Sequence, residues 1–84
     1  MSIRIVSHEK FILDEHSTAE EVTVYATTPA EALEVNTETF VIGSTLFVTG
    51  IGSAYMLDAD GSCGGVWRSV KDGAPLTEDG GGRL

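Results

Sequence analysis

Several things that stabilise or arm a small protein are scarce in this chain. Among its 84 residues there is one cysteine, Cys63, so no internal disulfide can form. A lone thiol suits a reducing compartment. Basic residues are also few: five Lys and Arg against thirteen Asp and Glu, a formal net charge of −8. Nucleic-acid binding needs cations to neutralise phosphates, and these five are spread from Arg4 to Arg83, so direct binding to DNA or RNA is not expected. No apolar run approaches the roughly 18 residues of a membrane helix. The start, "MSIRIVSHEK", lacks the basic and apolar regions of a secretory signal. A soluble chain made in the cytoplasm is the expectation. A domain of this length buries only roughly 60–65% of the surface its unfolded chain exposes, and such a core seldom supplies more than about 3–5 kcal/mol without a staple. With no disulfide, association with other chains becomes the expected support.

What is present reads mainly as β-structure. "SIRIVSH" (2–8) mixes β-branched residues with partial alternation, and "VTVYAT" (22–27) sets Val22, Val24 and Ala26 against Thr23, Tyr25 and Thr27. Between them "FILDEHSTAEE" (11–21) opens apolar and turns acidic, and its second half reads as loop. "TPAEALEV" (28–35) predicts one short helix, with Thr28 as N-cap, Pro29 as the first helical residue and Glu31 closing a capping box. Strands follow at "TFVIGSTLFVTG" (39–50), with Gly43 as a bend, then "SAYMLD" (53–58) and "VWRSV" (66–70). The expected fold is a small single-domain β-sheet or sandwich over residues 1–71, with a C-terminal three-strand meander at 42–70 and at most one short helix. Residues 72–84 read as a glycine-rich tail.

The meander does not alternate as a half-buried sheet should. Leu46 and Val48 face one way and Phe47 the other; Ala54 and Met56 oppose Tyr55 and Leu57. Both faces are therefore apolar, and the chain is short of material to cover the second. Leftover apolar surface on a small domain marks a protein–protein contact. We expect Leu46, Phe47, Tyr55, Leu57 and Trp67 to divide between core and subunit contact. Replacing Phe47 or Leu57 by aspartate is then expected to dissociate an assembly and leave a folded monomer.

No catalytic, cofactor or metal site is expected. "DADGSCGGVWRS" from Asp58 has oxygens at the first, third and fifth positions of a calcium loop, at Asp58, Asp60 and Ser62. It has Cys63 where the loop needs glycine and Ser69 where it needs glutamate, with strands as flanks. Turn chemistry accounts for it better. "GIGS" (50–53) lacks a third glycine and a following helix, so Gly50 and Gly52 read as a hairpin turn rather than a phosphate cradle. His8, His16 and Cys63 match no zinc spacing. No histidine lies in a nucleophile elbow, and Asp14-Glu15 and Glu20-Glu21 sit in polar surroundings.

The run "IGSTLFVTGIGSAYMLDADGSCGGVWRSV" (42–70) resembles a pattern found in small structural proteins of tailed-bacteriophage virions: G-S-T opening an apolar strand, a short turn, Y-M-L-D, a polar turn and a tryptophan. Gly43, Ser44, Thr45, Tyr55, Met56, Leu57, Asp58, Gly61 and Trp67 carry the match, over about a third of the chain. The last turn departs from the pattern by an inserted "CGG". The resemblance implies a non-enzymatic virion subunit, made in the host bacterial cytoplasm. It would be a head fibre, capsid decoration or neck–tail component, contacting other virion proteins and forming a homo-oligomer, with no cofactor and no membrane. The N-terminal half or the tail would be the attachment element. The alternative is a small acidic phage-encoded inhibitor that mimics nucleic acid and blocks a host protein, though the scatter of the acids speaks against carboxylates placed at phosphate spacing.

Overall fold

The structure is a computed structural model that describes residues 3–59 and 65–78. In chain order its elements are β1 (Arg4–Asp14), β2 (Ser17–Ala26), α1 (Pro29–Leu33), β3 (Thr45–Val48), β4 (Ser53–Asp58) and β5 (Val66–Ser69). The five strands make one sheet in the order β1-β2-β3-β4-β5. Neighbours are antiparallel except β2 and β3, which run parallel. A parallel pair cannot be closed by a tight turn, so the chain crosses between β2 and β3 through α1, which packs on both strands.

Local chemistry fixes that crossover. Thr28 is extended and its hydroxyl accepts the Glu31 N–H at 3.2 Å, while the Glu31 carboxylate accepts the Thr28 N–H at 3.3 Å. This is the expected capping box, and it starts the helix at Pro29, whose missing N–H costs nothing there. Pro29 and Ala32 turn inward and press α1 onto the sheet.

Alternation then sorts the strands into two faces. Val22, Val24 and Ala26 of β2, Leu46 and Val48 of β3, Tyr55 and Leu57 of β4 and Trp67 of β5 are buried on one face, in one core with Ala32 of α1 and Leu76. The register aligns them, Val24 beside Leu46, Leu46 beside Tyr55, and Leu57 beside Trp67. Each such aliphatic side chain contributes about 1.5–3 kcal/mol by leaving water.

Three features differ from the sequence expectation. First, residues 17–21 are strand, not loop. β1 and β2 form a long hairpin turning at Glu15 and His16, with Phe11 opposite Ala19 and Lys10 opposite Glu20. The alternation signal fails there because no residue in this part of the ribbon is fully buried, so no face is marked as core. Second, the strand expected at 39–50 narrows to Thr45–Val48. Third, the folded unit runs past residue 71. Gly73, at φ +77, and an Asp72 carboxylate accepting the Ala74 N–H at 2.9 Å fold the chain back along β5. There Leu76 donates its N–H to the Trp67 carbonyl at 2.8 Å, and its side chain joins the core. Pro75 sits at this edge, where a missing donor is harmless.

Candidate interaction surface

The G-S-T segment turns out to fasten three strands together. Gly43 takes φ +100, which a side chain would strain, and its N–H reaches the Leu57 carbonyl at 2.9 Å. Leu57 returns its N–H to the Ser44 carbonyl at 2.8 Å, which sets the β3–β4 register. Ser44 is the one fully buried polar side chain among the described residues, and its Oγ accepts the Val22 N–H of β2 at 3.1 Å. The Thr45 and Thr23 hydroxyls share a hydrogen bond at 3.1 Å. We therefore expect Ser44→Ala to destabilise by about 1–3 kcal/mol, because it strands a buried N–H. Urea unfolding should show a lower midpoint at unchanged slope; no shift at all would mean that water replaces the hydroxyl.

The Y-M-L-D strand divides cleanly. Tyr55 and Leu57 point into the core; Met56 and Asp58 point the other way. Leu46 and Trp67 are core as well, so four of the five residues expected to share core and contact roles are core. Phe47 alone faces out, 40% exposed. This corrects the expectation for Leu57→Asp: it would place a carboxylate inside the core, and only the Phe47 substitution leaves the core untouched.

The face opposite α1 has no layer over it among the described residues. One row across it runs Arg4, Tyr25, Phe47 and Ala54. The Tyr25 and Phe47 rings stack with centroids 5.6 Å apart, and the Arg4 guanidinium lies 4.9 Å from the Tyr25 centroid. The next row runs Val6, Thr23, Thr45, Met56 and Arg68. His8 reaches this row through a 2.6 Å hydrogen bond between Nε2 and the Thr23 hydroxyl. Arg68 closes the far side with its Nε 3.4 Å from the Asp58 carboxylate, and donates from Nη1 to the Gly73 carbonyl at 3.1 Å. Between these groups Ile42, Met56 and Val70 form a shallow apolar groove of about 480 Å³, rimmed by Asp58 and Arg68.

The second unusual surface is the β1–β2 arm. Chain 39–41 still supports β2 at Glu20, through the Glu20 N–H to the Thr39 carbonyl and the Val41 N–H to the Glu20 carbonyl. Beyond that point, among the described residues, β1 and β2 pair only with each other. Phe11, Ile12 and Leu13 lie on this overhang, Ile12 and Leu13 being 79% and 66% exposed. An isolated two-stranded ribbon is marginal in water, and an uncovered edge strand invites pairing. The segment's apolar opening was visible in the sequence; its projection from the sheet was not, because that depends on where β3 stops.

The remaining candidates do not converge. Asp58 is engaged with Arg68, while Asp60, Ser62 and Cys63 lie outside the described residues. His8 sits on the uncovered face and His16 at the hairpin turn, beside Glu15 at 4.0 Å. Among the described residues no three His, Cys, Asp or Glu side chains come together as a metal cluster. Gly52, at φ +65, and Gly50, packed against the Thr27 carbonyl, lie in the β3–β4 turn, with no helix following. No helix among the described residues is long and apolar enough to cross a membrane.

No family model matches this chain, and no curated protein or solved structure matches it either.

Proposed function

We propose that the protein is a non-enzymatic structural subunit of a tailed-bacteriophage virion, acting through protein–protein contacts on the capsid or at the head–tail region. The observation that carries this reading is the uncovered face: a single five-stranded sheet with α1 and the Leu76 side chain on one side, and Phe47, Met56 and Val70 exposed on the other. A small monomer rarely leaves such a patch without a partner. The projecting arm adds a second apolar surface on the same chain. The resemblance of residues 42–70 to small virion proteins supplies the biological setting. Gly43, Ser44, Thr45, Tyr55, Leu57 and Trp67 of that pattern build this sheet, which supports reading it as part of an assembly module. Its partners are other virion proteins and further copies of itself. The acidic balance keeps free subunits apart in solution until specific contacts form.

Light scattering behind a sizing column, at moderate salt, tests the self-assembly. A discrete oligomer well above the 8.9 kDa monomer mass is expected. A chain that stays monomeric as its concentration rises would remove the homo-oligomer from this proposal.

A further inference from the structure

We infer that β1 of one chain pairs with β1 of a second copy, antiparallel and edge to edge, about a twofold axis that passes between His8 and Glu9. This rests on the assembly function proposed above and gives it a specific self-contact. β1 is an outer strand of the sheet, 11 residues long, and among the described residues it pairs only with β2. It contains no proline, and none of its residues is fully buried. Its outer backbone N–H and C=O groups form a row whose fitting partner is another extended backbone.

The register of β1 on β2 decides which backbone fits. β2 alternates without interruption, so its residues assign the faces of β1. Ile5 and Ser7, opposite Val24 and Val22, lie on the α1 side, as do Lys10 and Ile12, opposite Glu20 and Thr18. Arg4 and Val6, opposite Tyr25 and Thr23, lie on the uncovered side, with Glu9 and Phe11, opposite Glu21 and Ala19. Between these runs the register shifts by one residue at His8, a β-bulge, and the His8 ring reaches Thr23 on the uncovered side. His8 and Glu9 are therefore successive residues on one face. A twofold perpendicular to the sheet keeps like faces together, so only residues of the same face can stand opposite each other. An axis through a single residue breaks this rule once pairing crosses the bulge. An axis between His8 and Glu9 keeps it from Ile5 to Ile12.

That register also matches chemistry. Ile5 stands opposite Ile12 of the second copy, Val6 opposite Phe11, Ser7 opposite Lys10 and His8 opposite Glu9, and the twofold repeats each pair. Ile5, Phe11 and Ile12, which are 47%, 39% and 79% exposed, gain apolar neighbours, and no like charges are opposed. Lys10 keeps its contact with Glu20, because Ser7 asks for no charge. Pairing also supports the arm. Phe11 and Ile12 come to lie beside Val6 and Ile5 of the second copy, where β2 and β3 continue the sheet, and a ribbon that is marginal with two strands becomes part of a wider one. The contact uses the same edge of both copies and closes as a dimer. It leaves the uncovered face open to other partners.

The test is register-specific disulfide trapping, with the native thiol removed by Cys63→Ser. Ser7→Cys and Lys10→Cys are made as separate chains; both positions are exposed, so thermal transitions should match wild type. Opposed residues of antiparallel strands have Cα atoms about 4.5–5.5 Å apart, within disulfide reach. Two copies of residue 7 lie three residues apart along the edge, roughly 10 Å, beyond that reach. Mild oxidation of a 1:1 mixture should therefore give a covalent dimer of about twice the 8.9 kDa chain mass, and neither variant alone should. Val6→Cys and Phe11→Cys should reproduce the pattern if a first variant folds poorly. In the chain without added thiols, Ile12→Asp acts at both ends of the ladder and should raise the dimer dissociation constant about tenfold or more by light scattering. Single variants that cross-link as well as the mixture overturn the register. If wild type assembles, the mixture does not cross-link and Ile12→Asp changes nothing, the edge contact is wrong while the assembly function stands. A wild type that stays monomeric overturns this contact together with the self-assembly on which it rests.

Discussion

Leu57→Asp is expected to abolish the fold, while Met56→Asp, one residue earlier, leaves it intact. Leu57 is 1% exposed and Met56 46%, because successive residues of β4 point to opposite faces. At Leu57 the substitution removes about 1.5–3 kcal/mol of apolar burial. It also puts a carboxylate where no described cation can reach it, and burying an uncompensated charge costs several kcal/mol more. A domain of this size has only about 0.05–0.15 kcal/mol per residue to lose. At Met56 the new carboxylate meets water and lies directly across from Arg68. The chain's one tryptophan, Trp67, is buried and pairs across from Leu57, so its fluorescence reports the outcome. Met56→Asp should keep the buried emission and a cooperative thermal transition; Leu57→Asp should show solvated emission at all temperatures. A cooperative transition for Leu57→Asp within a few degrees of wild type would overturn the assignment of faces.

That pair of residues also shows what the sequence could disclose. "SAYMLD" announced its strand and its two apolar faces, and which of them is core was not in the strand itself. Helix α1 decides it, by landing on the side of Leu46, Tyr55 and Leu57. The helix was legible to the residue at its start, since Thr28, Pro29 and Glu31 are a local code. Its consequence, the parallel β2–β3 crossover, is non-local and left no mark in spacing. The hairpin arm was hidden for a different reason. Strand signals depend on one buried face, and residues 11–14 and 17–18 have none. Their pairing is carried by backbone hydrogen bonds and by weak cross-strand contacts such as Lys10 to Glu20 at 3.9 Å. Both elements of the candidate surface therefore combine legible residues with illegible placement. Phe47 and Met56 were recognisable as outward-facing or inward-facing only in relation to each other, and the Phe11–Leu13 triplet was recognisable as apolar but not as a projection.

The second large effect is expected at Trp67. It is 4% exposed, lies opposite Leu57, and its carbonyl holds the Leu76 N–H that brings residues 74–76 against β5. Trp67→Ala should cost about 3–5 kcal/mol, the usual loss for truncating a buried aromatic. For a domain of this size that lowers the melting temperature by roughly 15 °C or more. The damage reaches the opposite face because β5 is a short edge strand: its neighbour on one side is β4, and on the other, among the described residues, the returning segment that Leu76 anchors. Loosening Trp67 frees Arg68 from its place beside Met56 and Asp58, and with it one wall of the groove. Trp67→Phe keeps a ring in the core and should lose much less. If assembly requires the groove, oligomer mass should fall with Trp67→Ala at temperatures where the remaining sheet is still folded by circular dichroism. An assembly that persists until the sheet itself melts would show that β5 contributes stability alone and that the contact lies nearer β1 and β2.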